Sequence, residues 1–231
     1  MKVAIMQPYL FPYIGYFQLI MSSDIFVIYD DVNYIKQGYI NRNNILFNSC
    51  VQRITLPVLK ASSNKYINQL SFSSDVENIL ITIRQAYCKS KYFNQVFPII
   101  ENILRFENRS IPHLIKYSLD SIFNYLGLYK KIIFSSDLNY DREKSVSEKL
   151  VSICKAIDCN LYINSPGGRA LYDNTMFIPY GIDLKFIEPI INPYPQLNTN
   201  DFISHLSIID ILMNNDRSIV VDHISNFLLK E

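Results

Sequence analysis

"KVAIMQPYLFPYIGYFQLIMSSDIFVIYDD", residues 2–31, decides the fold. Lys2–Met6 is short, apolar and β-branched, and Pro8 stops it, as befits a buried strand. Phe17–Ser22 reads as a helix ended by Ser23-Asp24, and 25–29 (IFVIY) is a second apolar run closed by Asp30-Asp31. Strand, loop, helix and strand within about thirty residues predict a βαβ unit and a parallel sheet. Ligands of such sheets sit at the carboxyl ends of the strands. The aromatic loop Gln7–Tyr16 and Asp30-Asp31 both fall on that edge.

Outward from this unit, 52–58 (QRITLPV) alternates as a third strand. From Val76 the period changes to three or four, through Ile79, Ile83, Ala86, Val96, Ile100 and Ile103. A further helix over Ile111–Leu126 stops at Gly127. Residues 76–127 are therefore expected to form a helical insertion within one domain spanning 1–231. Strands follow at 130–135, 160–163 and 182–187, a helix at 142–157, and closing helices at Ile203–Met213 and Ile219–Leu229. The expected class is α/β: a parallel-sheet, Rossmann-like core with an inserted helical subdomain and C-terminal helices.

Composition limits function. Of 231 residues 49% are hydrophobic, enough for a substantial core. Twenty-two basic residues against 21 acidic give a net charge of +1 with no single-sign run, which argues against a DNA partner. No window approaches the roughly 18 uninterrupted apolar residues of a membrane span, and the first residues lack the form of a secretory signal. The four cysteines show no CxxC spacing and read as reduced thiols, without a metal. A cytoplasmic location is expected.

Three constellations could carry chemistry. In 26–45, Asp30 and Asp31 end a strand, and only one of them can face a site directly. The other is available to cap a turn. Lys36, Asn41 and Arg42 follow, and an arginine fork with a lysine suits a phosphate or carboxylate. A solvated basic loop would look the same. In 161–173, Ser165, Gly167, Gly168 and Arg169 follow a strand as Ser-Pro-Gly-Gly-Arg, which could present backbone N–H groups to an anion or simply make a tight turn. In 193–215, Gln196, His205 and Asp210 could reach a pocket. His205 and Asp210 are five apart, so a direct His–Asp dyad on one helix face is not expected.

The succession "MQPYLFPYIGYFQLI", "FVIYDDVNYIKQGYINRNNI", "LPV", "AYCKSKYF", "YINSPGGRALY" and "LSIIDILMNN" resembles the WbqC-like family of bacterial surface-polysaccharide gene clusters, over nearly the whole chain. Aromatic sites associated with tryptophan in that family carry Tyr13 and Gly38-Tyr39 here, which bears on the shape of the acceptor pocket. The resemblance implies O-antigen or capsule biosynthesis and an acyl- or aminoacyltransferase, glycine transfer included, acting on the amine of a nucleotide-linked amino sugar. It names no cofactor and leaves the acyl donor open; an oligomer is compatible with it. On that reading Asp30 or Asp31 is the base, with His205 behind it. Lys36, Asn41 and Arg42 hold phosphate or oxyanion, and Gln7, Tyr9, Tyr13 and Tyr16 line the sugar or base pocket.

A second similarity is to nucleotidyltransferase-like folds. "PYIGY" stands where their HxGH motif lies, with Tyr13 and Tyr16 in place of its histidines. Tyrosines can stack and hydrogen-bond but cannot supply imidazolium charge near neutral pH. The alternatives are thus a nucleotidyltransferase-like enzyme and a non-catalytic nucleotide-sugar-binding module.

Overall fold

A computed structural model describes residues 1–197, 199 and 201–231. The opening segment forms β1 (Lys2–Met6), α1 (Ile14–Ser22) and β2 (Ile25–Ile28), the predicted βαβ unit. A hairpin follows, β3 (Arg42–Phe47) and β4 (Cys50–Thr55), then helices α2 (Glu77–Tyr87), α3 (Phe93–Leu104) and α4 (Ile111–Tyr125). Next come β5 (Lys131–Phe134), α5 (Val146–Ala156), β6 (Leu161–Asn164) and β7 (Asp183–Pro189). The chain closes with α6 (Ile208–Asn214), α7 (Arg217–Ser225) and β8 (Phe227–Lys230).

The main sheet has the order β5-β2-β1-β6-β7-β8, and every pair is parallel except β7 with β8. This is the expected mixed α/β, Rossmann-like architecture. Alternation along the strands divides the core. Ala4, Phe26, Ile28, Ile132, Ile163 and Ile187 join a cluster with α1, α4 and α6 on one face. Val3, Ile5, Val27, Tyr162 and Leu184 join Leu150, Ile153 and Cys154 of α5 on the other. Both faces are covered, which is why the strands read as continuous apolar runs.

Helices α2–α4 share the first cluster with α1, through contacts such as the Phe17–Phe123 ring pair at 5.5 Å. Gln18, wholly buried in α1, donates its Nε2 to the carbonyls of Ile190, His223 and Asn226 at 2.8–2.9 Å. The site-bearing helix is thereby tied to the end of the chain.

Two expectations need correction. The strand expected at 52–58 lies outside the main sheet: β4 pairs antiparallel with β3, a strand that the sequence does not announce. Asn48 and Ser49 both adopt positive φ (48° and 60°), the geometry of a two-residue turn that forces a local hairpin. The helix expected over Ile219–Leu229 ends at Ser225, and β8 follows it. Phe227 and Leu229 turn half-buried toward the core while Leu228 and Lys230 face out, a period of two.

Candidate functional site

In the sheet order the chain runs from β1 outward through β2 to β5, then returns to β6 on the other side of β1. The crevice between the carboxyl ends of β1 and β6 is therefore the point where connections diverge, the position at which open α/β sheets bind ligands. A cleft of about 490 Å³ opens there. Its floor is Ile5, Met6 and Gln7 after β1; one wall is Asn164, Ser165, Gly167 and Gly168 after β6, and the other is Tyr29, Val32 and Asn33 after β2. Lys149 and Leu150 of α5, with Tyr162 and Tyr172, complete it.

The turn after β6 is shaped by close approach. Pro166–Ala170 forms a short 3-10 turn in which the Gly168 N–H donates to Ser165 O at 3.0 Å. A Cβ on Gly168 would lie 2.5 Å from Asn164 Nδ2, whereas one on Gly167 would meet nothing within 4 Å. Gly168 is thus required for packing, and Gly167 leaves backbone open to the cleft. Arg169 points away, exposed, with its guanidinium 5.3 Å from the Phe186 ring centre.

The aromatic loop forms the second part of the site. Tyr9 lines the crevice and two adjoining cavities: one of about 290 Å³ with Tyr13, Gly15 and Tyr16, the other of about 330 Å³ with Pro12, Tyr13, Tyr39, Asn43 and His205. Tyr9 packs 6.0 Å from Tyr39 and 5.5 Å from Tyr16, and Tyr13 stacks on His205 at 5.6 Å. Burial raises the phenols of Tyr9 and Tyr13, so both stay neutral hydrogen-bonding groups. Tyr16 is buried and its hydroxyl donates to Gln7 O at 2.8 Å, which makes it a brace for the loop.

The loop is held in an uncommon conformation. Phe11 is fully buried with φ at +42°. Asn43 Nδ2 donates to Leu10 O (3.1 Å) and Phe11 O (2.8 Å), Ser207 Oγ donates to Phe11 O (2.8 Å), and Ile208 N to Pro12 O (2.9 Å). His205, exposed, also has positive φ (+61°), and its Nδ1 lies 2.8 Å from Ser204 Oγ. Left-handed backbone at a non-glycine residue such as Phe11 is costly, and these hydrogen bonds hold it in place.

Neither member of the aspartate pair lines the crevice. Asp30 is 2% exposed; its carboxylate accepts from Ser135 Oγ (3.0 Å), Ser136 N (3.0 Å) and Ser136 Oγ (2.8 Å). It fastens the end of β2 to the end of β5. Asp31, with its side chain 5% exposed, accepts from Ser135 Oγ and from Arg142 Nε at 2.8 Å. Arg142 also donates to the carbonyls of Tyr140, Ser136 and Leu138, and its guanidinium lies over the Tyr140 ring at 4.3 Å. Tyr29, between these aspartates and the cleft, has its phenol pushed up to about 12, first by burial and then by the Asp31 charge.

Lys36, Asn41 and Arg42 are dispersed. Lys36 is exposed in the loop before β3. Asn41 accepts from Tyr34 Oη (3.0 Å) and donates to Leu56 O (3.1 Å). Arg42 donates from Nε to Gly38 O (3.0 Å) and from Nη2 to Gln37 O, stapling that loop. None of the three lines the crevice. Among the described residues, no group of three or more His, Cys, Asp or Glu side chains is arranged to hold a metal ion, and no helix is long and apolar enough to cross a membrane.

Sequence reasoning missed Tyr29, Asn43, Lys149, Tyr162 and Tyr172. Tyr29 was legible as the last residue of the second apolar run. Asn43, Lys149 and Tyr172 lie on elements whose neighbours only the fold supplies.

Comparison with known proteins agrees with the chain's motifs. The WbqC-like protein family matches residues 7–221. The chain is also 28% identical over 218 residues to the uncharacterized protein Rv1507c of Mycobacterium tuberculosis, covering 92% of this chain and 93% of that protein. No solved structure matches significantly. With the aromatic loop, the aspartate pair and the Ser-Pro-Gly-Gly turn all inside the matched span, this chain belongs to the WbqC-like protein family.

Proposed function

We propose that this protein is a transferase of surface-polysaccharide assembly that acylates the amine of a nucleotide-linked amino sugar. Family membership suggests the polysaccharide-related role. The observation that carries the substrate class is the crevice at the β1/β6 divergence, where the Gly167 backbone and Lys149 offer donors to a diphosphate beside tyrosines able to stack on a base.

In the reaction the sugar nitrogen attacks an acyl carbon. The N–C bond forms, the bond to the donor's leaving group breaks, and the nitrogen's proton passes to a base. His205 is the better candidate than either aspartate, because it is exposed at the edge of a cavity that shares Tyr9 with the crevice. In the tautomer that carries its proton on Nδ1, toward Ser204 Oγ at 2.8 Å, Nε2 is left as acceptor. Asp30 and Asp31 then act by fixing the strand ends.

The test is mass spectrometry of UDP- and dTDP-linked amino sugars after incubation with acyl thioesters, or with amino acids and ATP. A mass gain equal to one acyl group, lost in His205→Ala, is expected. Pyrophosphate release from a nucleoside triphosphate and a sugar phosphate, with no acylation, would instead establish a nucleotidyltransferase. Absence of both reactions, with thermal stabilisation by a nucleotide sugar, would leave a non-catalytic nucleotide-sugar-binding module.

A further inference from the structure

The cavity beside the crevice, walled by Tyr9, Tyr13, Tyr39 and His205, is chemically unlike it. We propose that it is a pyranose subsite: a cage in which the sugar ring of the substrate lies against tyrosine faces while the nucleotide stays in the crevice. The assignment rests on the crevice reading above and divides that substrate between two cavities.

The first observation is size and adjacency. The cavity measures about 330 Å³ and adjoins the crevice at Tyr9, which lines both, the arrangement that two parts of one linked ligand require. The second is charge. Its lining contains a single histidine and no Lys, Arg, Asp or Glu, so it offers no clamp of fixed charges for a diphosphate. The third is the kind of hydrogen-bonding group available. Asn43 is the one amide in the lining, and its Nδ2 and Oδ1 are already engaged with Leu10 O, Phe11 O and Asn44 N. A nucleobase edge, which needs fixed amide or backbone partners, would find few here. Phenolic hydroxyls and an imidazole remain, and these rotate to suit sugar hydroxyls.

Ring placement supports the same ligand. Tyr9 and Tyr39 are tilted 50° at 6.0 Å, and Tyr13 with His205 makes a second, stacked pair. The apolar C–H face of a pyranose fits such aromatic surfaces, while its hydroxyl rim meets their polar ends. His205 then lies beside the sugar that carries the reacting amine, where a proton acceptor is needed.

The experiment is NMR of the full chain with tyrosine rings, histidine rings and backbone amides labelled, titrated with three probes. These are a panel of methyl glycosides of 2-amino and 4-amino pyranoses, uridine, and UDP. The glycosides are expected to shift the His205 and Tyr39 ring signals, and uridine is not. Tyr39→Ala, at a position 54% exposed and so tolerant of truncation, should weaken glycoside binding about threefold to tenfold and leave UDP binding unchanged. Movement of His205 by uridine and not by any glycoside would overturn the assignment, as would glycosides that leave both ring signals in place. UDP is expected to shift the Gly167 and Gly168 amides. If it does not, the crevice reading fails, and the glycoside arm still reports on the cage separately.

Discussion

The Tyr87 hydroxyl donates to Asp210 Oδ1 at 2.8 Å, joining α2 to α6 across 123 residues of sequence. Gln196 Nε2 donates to the other oxygen at 2.9 Å, and Leu46 N donates to Tyr87 Oη at 3.0 Å. The bond thus secures the hairpin and the proline-rich segment that flank His205. Burial raises the Asp210 carboxyl above its ordinary value, against the lowering effect of those hydrogen bonds. A group bound to its proton more tightly when folded stabilises the protein fully below the ordinary carboxylate value, and this contribution fades as pH rises through the raised one. The stability of wild type relative to Asp210→Asn should therefore decline as pH rises through that window. Urea titrations at a series of pH values measure it, and a constant difference would contradict the argument. Tyr87→Phe should cost about 1–3 kcal/mol at neutral pH.

Asp30 and Asp31 should separate in a stability assay. Asp30→Ala strands the Ser136 N–H and the Ser136 hydroxyl at the β2–β5 junction, while the Ser135 hydroxyl keeps Asp31, a loss of about 1–3 kcal/mol. Asp31→Asn should cost less, because Arg142 keeps its carbonyl acceptors. Chemical denaturation of the two variants decides; equal losses would mean that Asp31 is as structural as Asp30.

Asn43 governs the aromatic loop. Asn43→Ala removes both donors to Leu10 O and Phe11 O, and a loss of about 1–3 kcal/mol is expected. Asn43→Asp should be worse, since a carboxylate would face those carbonyls without a proton to offer. The Tyr9 and Tyr39 ring signals should broaden as the loop loosens.

The two glycine contacts predict unequal responses to alanine. Gly168→Ala must displace the buried Asn164 side chain and should lower both stability and UDP affinity, while Gly167→Ala meets no protein atom and should keep wild-type stability, its methyl weakening UDP binding only. At Gly15 a methyl group would fall 2.5–2.6 Å from the Tyr13 ring, the mobile end of a side chain. Gly15→Ala should therefore preserve stability and swing Tyr13 off His205, an effect visible in the His205 ring signals. Isothermal titration with UDP reports the first pair.

Much of the fold was legible because parallel strands covered on both faces must be apolar throughout. Lys2–Met6, 25–29 and 182–187 therefore stood out against their flanks. The hairpin was hidden, although its second strand was legible, because the positive-φ turn that joins β3 to β4 uses Asn48-Ser49 without glycine. At the site, Gln7, Tyr9, Tyr13 and the Ser-Pro-Gly-Gly turn were found from their place after strands. Lys36, Asn41 and Arg42 resembled an anion clamp in one dimension, but each is directed to its local loop or to solvent. The burial of Asp30 depends on Ser135 and Ser136, 105 and 106 residues away, and no local pattern announces such a partner.

The strand order also governs when the site can exist. β1 is made first, yet one of its two neighbours is β6, with Ala4 opposite Ile163. During synthesis the βαβ unit can form early, leaving one side of β1 an open edge until the second half of the chain has emerged. The crevice has a single wall until then. A ribosome stalled before residue 161 would carry a stretch of sheet but no binding site, exposing a hydrophobic edge that a chaperone would recognise as unfinished.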